Sequence, residues 1–148
     1  MDYPIGISYG DFDDKITSSS EYNSDHSVKG CKLNQIMPSG QSSAWCAGEK
    51  DKERPWIQVD LGQTLNIKAV SIQGRYDANQ YVTKFRILWS RDNNESHLLH
   101  FYEFEGNNNN YSVVKRIFPQ VIPARLIRLQ VLSYHGYPSL RWELHYVI

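Results

Sequence analysis

"ERPWIQVDLGQ", residues 53–63, decides how the chain is read. Pro55 stands where a strand begins and a missing N–H costs least. Ile57, Val59 and Leu61 then alternate with Gln58 and Asp60, and Gly62 closes the run. Such period-2 alternation between Pro and Gly marks a half-buried strand with its apolar side chains on one face. A helix would need its apolar residues three and four apart, and this stretch lacks that spacing.

The same pattern recurs on both sides. "LNIKAVSIQGR" (65–75) puts Leu65, Ile67 and Ala69 on one face, and "YVTKFRILWS" (81–90) does so with Phe85, Ile87 and Trp89. "ARLIRLQVLS" (124–133) and "SLRWELHYVI" (139–148) alternate again, the latter with Leu140, Trp142, Leu144 and Tyr146 opposite Arg141, Glu143 and His145. Short strands in series, without helical periodicity, repeat or linker, predict an all-β antiparallel sandwich or barrel in a single domain, residues 1–148. "SSSEYNSDHS" (18–27) and "EGNNNNYS" (105–112) are rich in turn formers and are expected as exposed loops.

Lysine plus arginine number 16 and aspartate plus glutamate 16, so net charge calls for neither nucleic acid nor an anionic bilayer. Aromatics are 13% of the chain, with ten tyrosines and four tryptophans, which suits strands and recognition surfaces alike. Met1-Asp2-Tyr3 starts nothing like a signal peptide, so the chain reads as an excised domain or one without a classical export signal. Asn94-Glu95-Ser96 and Asn110-Tyr111-Ser112 fit the N-glycosylation pattern and lean toward an extracellular or cell-surface location. Cys31 and Cys46 flank the turn signal Pro38-Ser39-Gly40; a disulfide across it and a pair of free thiols are both open.

The chain resembles the discoidin, or coagulation factor V/VIII C-type, domain family nearly end to end. The resemblance is carried in order by "DKITSSS", "KLN", "AWCAGEKDKERPWIQVDLG", "SIQGR", "YVTKFRILWSRD", "FEGNNNN", "FPQVIPARLIRL" and "SLRWEL". It implies a jelly-roll β-sandwich whose loops, called spikes, project from one end to bind lipid headgroups, glycans or protein ligands. Two departures stand out. The cysteines with which the family commonly ties its two ends are absent. Cys46 matches one half of a bridge found in receptor members, but the other half is Ser139 here, leaving Cys31 as candidate partner.

Catalytic chemistry is missing from the pattern. There is no GxSxG elbow, phosphate-cradling glycine loop, HExxH or CxxC. His97 and His100 are three apart, which puts them on opposite faces of a strand, so a solvated loop or strand edge is expected there. Asp13 and Asp14 are adjacent and point apart on an extended chain. The resemblance implies structural calcium in carbohydrate-binding members, held partly by a late glutamate. Glu143 matches that position, but "NQIMPSGQSS" (34–43) offers no carboxylate to join it, so no cofactor is expected.

Function therefore falls to the loops at one end: residues 18–30, 34–43, 75–81 and 133–139. Tyrosine offers a flat apolar face with a polar tip, and Asn, Asp and His satisfy sugar hydroxyls or backbone amides. On those grounds Tyr22, Asn23, His26, Met37, Arg75, Tyr76, Asp77, Tyr134, His135 and Tyr137 are the candidate ligand-binding residues. The family implies a binding role for Arg75 in its collagen receptors; an ion pair bracing the loop through Asp77 is the other reading. Tyr134 and Tyr137 can equally cap the sandwich. The expectation is a non-enzymatic adhesion module for a glycan or glycoprotein, with a phosphatidylserine-containing membrane or a collagen-like protein as alternatives. Ile36 and Met37 are the apolar tips a membrane would need.

Overall fold

The computed structural model describes residues 1–36 and 44–148. It is built from strands β1 (Tyr3–Pro4), β2 (Ile16–Ser18), β3 (Trp45–Cys46), β4 (Trp56–Gln73), β5 (Tyr81–Ser90), β6 (His100–Glu105), β7 (Val114–His135) and β8 (Ser139–Val147). Every pairing between them is antiparallel. Among the described residues, helix is confined to single 3₁₀ turns at Ile7–Tyr9, Ser24–His26, Val28–Gly30 and Glu95–His97.

The strand order is β1-β8-β4-β7-β5-β6, with β2 added to β4 and β3 to β8. The first halves of β4 and the second half of β7 pair at Trp56–Asp60, and there β5 and β6 extend the layer. Beyond a register shift between Asp60 and Leu65 the two strands pair again, now beside β8 and β1. Two long strands thus bend from one layer of the jelly roll into the other. The expected strand end at Gly62 is instead this bend. Gly62 has φ +74, which only glycine adopts without strain, and its N–H donates to Asp60 Oδ1 at 2.9 Å.

The alternation expected from sequence holds on the inner face. Ile57, Val59, Ile67, Phe85, Ile87, Leu140, Trp142 and Leu144 are all buried, as is Trp45. The outer face departs from it. Gln58, Arg141 and Glu143 are buried as well. Gln58 accepts from Arg128 Nε (2.8 Å), whose guanidinium lies 3.8 Å from the Trp56 ring centre, and donates to Glu95 (2.7 Å). Glu143 accepts from the N–H groups of Ile7 (3.2 Å) and Ser8 (2.9 Å), which fixes the first 3₁₀ turn to β8. Residues 106–113 form a loop, but not one exposed throughout: Asn107 is buried and donates to the carbonyls of Ile72 and Ser112.

Cys31 and Cys46 are both buried as free thiols. Cys46 lies opposite Ser139 on β8, whereas the Cys31 carbonyl accepts the N–H of Trp142. Those β8 positions are three residues apart, roughly 10 Å at strand rise, beyond the ~7 Å Cα separation a disulfide spans. Burial pushes the Cys31 thiol up to about 12.

Candidate functional site

At the end of the sandwich where β7 turns back into β8, four segments converge: residues 21–26, 46–52, 74–80 and 136–138. Backbone hydrogen bonds hold them together. Tyr22 N–H donates to Cys46 O (2.9 Å), Ala47 N–H to Pro138 O (3.2 Å) and Arg75 N–H to Gln80 O (3.0 Å). Asn110 donates its side-chain amide to the carbonyls of Arg75 (2.9 Å) and Tyr76 (3.2 Å). Arg141, 1% exposed, gives its guanidinium to three carbonyls: Gly74 (2.7 Å), Gln35 (3.1 Å) and Asn110 (3.4 Å). One buried cation therefore ties three loops to β8.

The segments enclose an open cavity of about 430 Å³, within the ~300–1,000 Å³ of small-ligand sites. Tyr22 and Tyr137 form its aromatic wall, edge to face with centroids 5.8 Å apart. The Tyr137 hydroxyl donates to Ala47 O at 2.7 Å, and burial pushes this phenol up to about 12, so it remains a donor. Lys52 Nζ stands 5.6 Å from the Tyr137 ring centre. The rest of the lining is mostly polar. Arg75 Nε donates to Asp77 Oδ1 at 2.6 Å and Nη1 to Gln80 Oε1 at 3.3 Å. Gln80 Oε1 also accepts from Ser139 Oγ (3.0 Å), which lies 3.2 Å from the Cys46 thiol at the cavity floor.

His26 sits at the rim, 5.3 Å from Tyr22. Its Nδ1 is 2.7 Å from Asn23 Oδ1, an oxygen that also accepts the Asp25 N–H (3.0 Å). An amide oxygen only accepts, so Nδ1 carries the proton and Nε2 of the neutral ring is a hydrogen-bond acceptor. Burial, and then the Arg75 charge, hold His26 below the ordinary imidazole value against the smaller pull of Asp25 and Asp77. The ring is neutral at pH 7.

Four of the expected residues, Tyr22, His26, Arg75 and Tyr137, line the cavity, and two more, Asn23 and Asp77, orient them. Arg75 braces its loop through Asp77 and also lines the cavity. Tyr76, Tyr134 and His135 do not line it: Tyr76 is exposed, Tyr134 pairs with Val82, and His135 stacks on Tyr81 at 4.9 Å. Met37 lies outside the described residues, and its neighbour Ile36 is 64% exposed. Cys46, Glu49, Lys52 and Gln80 complete the lining and were not anticipated. Glu49 and Lys52 fall in the polar run "AGEKDKER", where nothing marks which side chain faces a cavity. Glu143 is engaged by backbone N–H groups, and among the described residues no cluster of three His, Cys, Asp or Glu is arranged to hold a metal ion.

The F5/8 type C domain family model matches residues 15–144. Neuropilin-1 of Rattus norvegicus is 31% identical over 155 residues, covering 95% of this chain and 16% of that protein. Wild-type discoidin II of Dictyostelium discoideum superimposes with a TM-score of 0.78 at 29% identity, over 90% of this chain and 54% of that one. The family 32 carbohydrate-binding module of C. perfringens NanJ, solved in complex with galactose, gives a TM-score of 0.73 over 98% of this chain and 99% of that one. At 17% identity that last likeness shows the jelly-roll fold alone. The chain spans about half of discoidin II and a sixth of neuropilin-1.

Proposed function

We propose, from the premise that the chain belongs to the F5/8 type C (discoidin) domain family, that it is a non-enzymatic extracellular or cell-surface module that binds a glycan or glycoprotein in the cavity described above. The observation that carries this reading is that an aromatic pair, Tyr22 and Tyr137, and the polar side chains of Arg75 and Gln80 line one cavity of about 430 Å³. A pyranose ring has one apolar C–H face and a rim of hydroxyls. Tyrosine rings suit the first; Arg75, Lys52 and the His26 Nε2 suit the second. Arg75 is held by Asp77 and Gln80, and His26 by Asn23, so little side-chain freedom remains to be lost on binding. A module of the same fold solved with galactose supports the ligand class.

The test is binding to a glycan array beside liposomes with and without phosphatidylserine, for the wild type, Tyr22→Ala and the double variant Tyr134→Ala/His135→Ala. Glycan binding that falls at least tenfold in Tyr22→Ala and survives in the double variant supports the reading. Liposome binding that needs phosphatidylserine refutes it in favour of a membrane site. The exposed Ile36 is the observation on that side. Silence on both surfaces refutes it in favour of a protein ligand.

A further inference from the structure

β5 starts at Tyr81, beside the cavity, and runs ten residues to its end at Ser90, roughly 30 Å away at strand rise. There a second cleft of about 250 Å³ opens, lined by Trp89, Ser90, Arg91, Asp92, His97 and His100. The first site takes no part in it. Its floor is aromatic: Trp89 packs on Tyr102 with centroids 4.8 Å apart and is flanked by the near-parallel His100 ring at 5.9 Å.

The polar side is built with equal definition. Asp92 Oδ1 accepts from Ser90 Oγ (2.8 Å) and from the Asn94 N–H (2.9 Å). Asp92 Oδ2 accepts from His97 Nδ1 at 2.7 Å. The Asn94 N–H, His97 and Ser90 bonds together hold the Asp92 carboxyl down at about 2, so it is ionised throughout the working range. A carboxylate only accepts, which puts a proton on His97 Nδ1 and turns Nε2 outward from the pair as an acceptor in the neutral ring. Asn94 caps the same 3₁₀ turn by accepting the Ser96 N–H at 3.0 Å, so the loop carrying His97 is pinned at both ends. Arg91 is exposed, and its guanidinium has no carboxylate within ion-pair distance among the described residues.

Trp89 with a flat neighbour, an unpaired guanidinium and an imidazole fixed by a carboxylate are the parts that recognise a sugar: a ring for the C–H face, a donor and an acceptor for vicinal hydroxyls. The volume falls below the usual small-ligand range and suits one ring rather than an oligosaccharide. We propose that this cleft is a second saccharide-binding site, specific for a single terminal hexopyranose, and that the module is bivalent with its two sites at opposite ends of the sandwich. The two sites lie near the opposite ends of β5. They engage two different glycan chains rather than two units of one, and each domain acts as a cross-link.

The experiment is an amide-shift titration of the whole chain with methyl β-galactoside and methyl β-glucoside, each to about 50 mM, well above the ~1 mM Kd of about 4 kcal/mol of binding. It is run on the wild type, Arg91→Ala/His97→Ala, Arg91→Gln alone and Tyr22→Ala. The expected result is that one of the sugars shifts amides of residues 89–100 along a saturating curve. That curve weakens at least tenfold in the double variant and persists in Tyr22→Ala. Arg91 is exposed, so Arg91→Gln removes the proposed donor without disturbing the fold, weakens the curve as well, and separates loss of binding from loss of fold. No shift in residues 89–100 with either sugar, or a curve unchanged from wild type in both Arg91 variants, overturns the proposal. Failure of the first site would instead silence residues 21–26, 74–80 and 136–138, so the two readings fail separately.

Discussion

Replacing Arg141 with methionine tests how the binding end is assembled. The side chain is 1% exposed, donates to three carbonyls and, among the described residues, faces no carboxylate within ion-pair distance. Burial lowers the guanidinium from 12.5 to about 10, an electrostatic cost of about 3 kcal/mol. Three hydrogen bonds to a charged donor contribute about 1.5–3 kcal/mol each. Methionine keeps much of the apolar stem, relieves the first term and forfeits the second, leaving three carbonyls without this donor. The net loss is about 2–5 kcal/mol, in the range found when one side of a buried charged contact is removed. At roughly 2–4 °C per kcal/mol for a chain of this size, the melting temperature should fall by about 5–15 °C. Differential scanning calorimetry measures it directly. Because Arg141 touches loops and not the cavity, ligand affinity should fall alongside stability. A melting temperature within about 2 °C of wild type would refute the reasoning, since the carbonyls would then have other partners.

Three further outcomes follow from the same geometry. His26 titrates below the ordinary 6.5 in the folded chain, so the unfolded state binds the extra proton and this residue's contribution to stability is full above pH 6.5. It is lost as pH falls through the folded value, and glycan affinity should fall over that same acidic window because the protonated ring has no acceptor. Calorimetry and binding assays at pH 5 and 7.5 check both, and affinity that rises on acidification excludes Nε2 as an acceptor. Dithiothreitol should leave the melting temperature unchanged, and a thiol reagent should label neither Cys31 nor Cys46 until denaturant is added; a mass 2 Da below the reduced chain would reveal a bridge. Gly74→Ala places a Cβ 2.6 Å from Gln80 O and 2.8 Å from Asn110 Cα. It should displace residues 75–80 and weaken binding more than it lowers stability, by at least about 1 kcal/mol in affinity.

The legibility of this fold in sequence follows from what each residue answers to. Ile57, Val59, Phe85 and Trp142 face a shared interior, so their alternation records the strand period directly. Gln58, Arg141 and Glu143 break that rule because each is covered by a loop or side chain from elsewhere: Arg128 and Glu95 over the first, residues 35, 74 and 110 around the second, Ile7 and Ser8 over the third. Nothing local to β8 announces those partners. The same holds for the site. Tyr22, His26 and Tyr137 were readable as aromatic and polar loop residues, whereas Gln80, a single polar residue ahead of β5, is fixed in the cavity by Arg75 and by Ser139, 59 positions away. Tyr134 and His135 have the right chemistry but belong to the end of β7, where pairing with Val82 and Tyr81 commits them to the sheet.

The two strands that pass between layers have a consequence for how the molecule breathes. β4 pairs with β7 before and after the bend at Gly62, and β8 leans on the second stretch as β5 leans on its partner. Neither layer can peel away while the other stays intact, because both are made from the same two lengths of backbone. Amide protons of β4 and β7 on both sides of the bend should therefore exchange with solvent through one common opening, at the full unfolding free energy, while those of the short β1 and β2 exchange earlier.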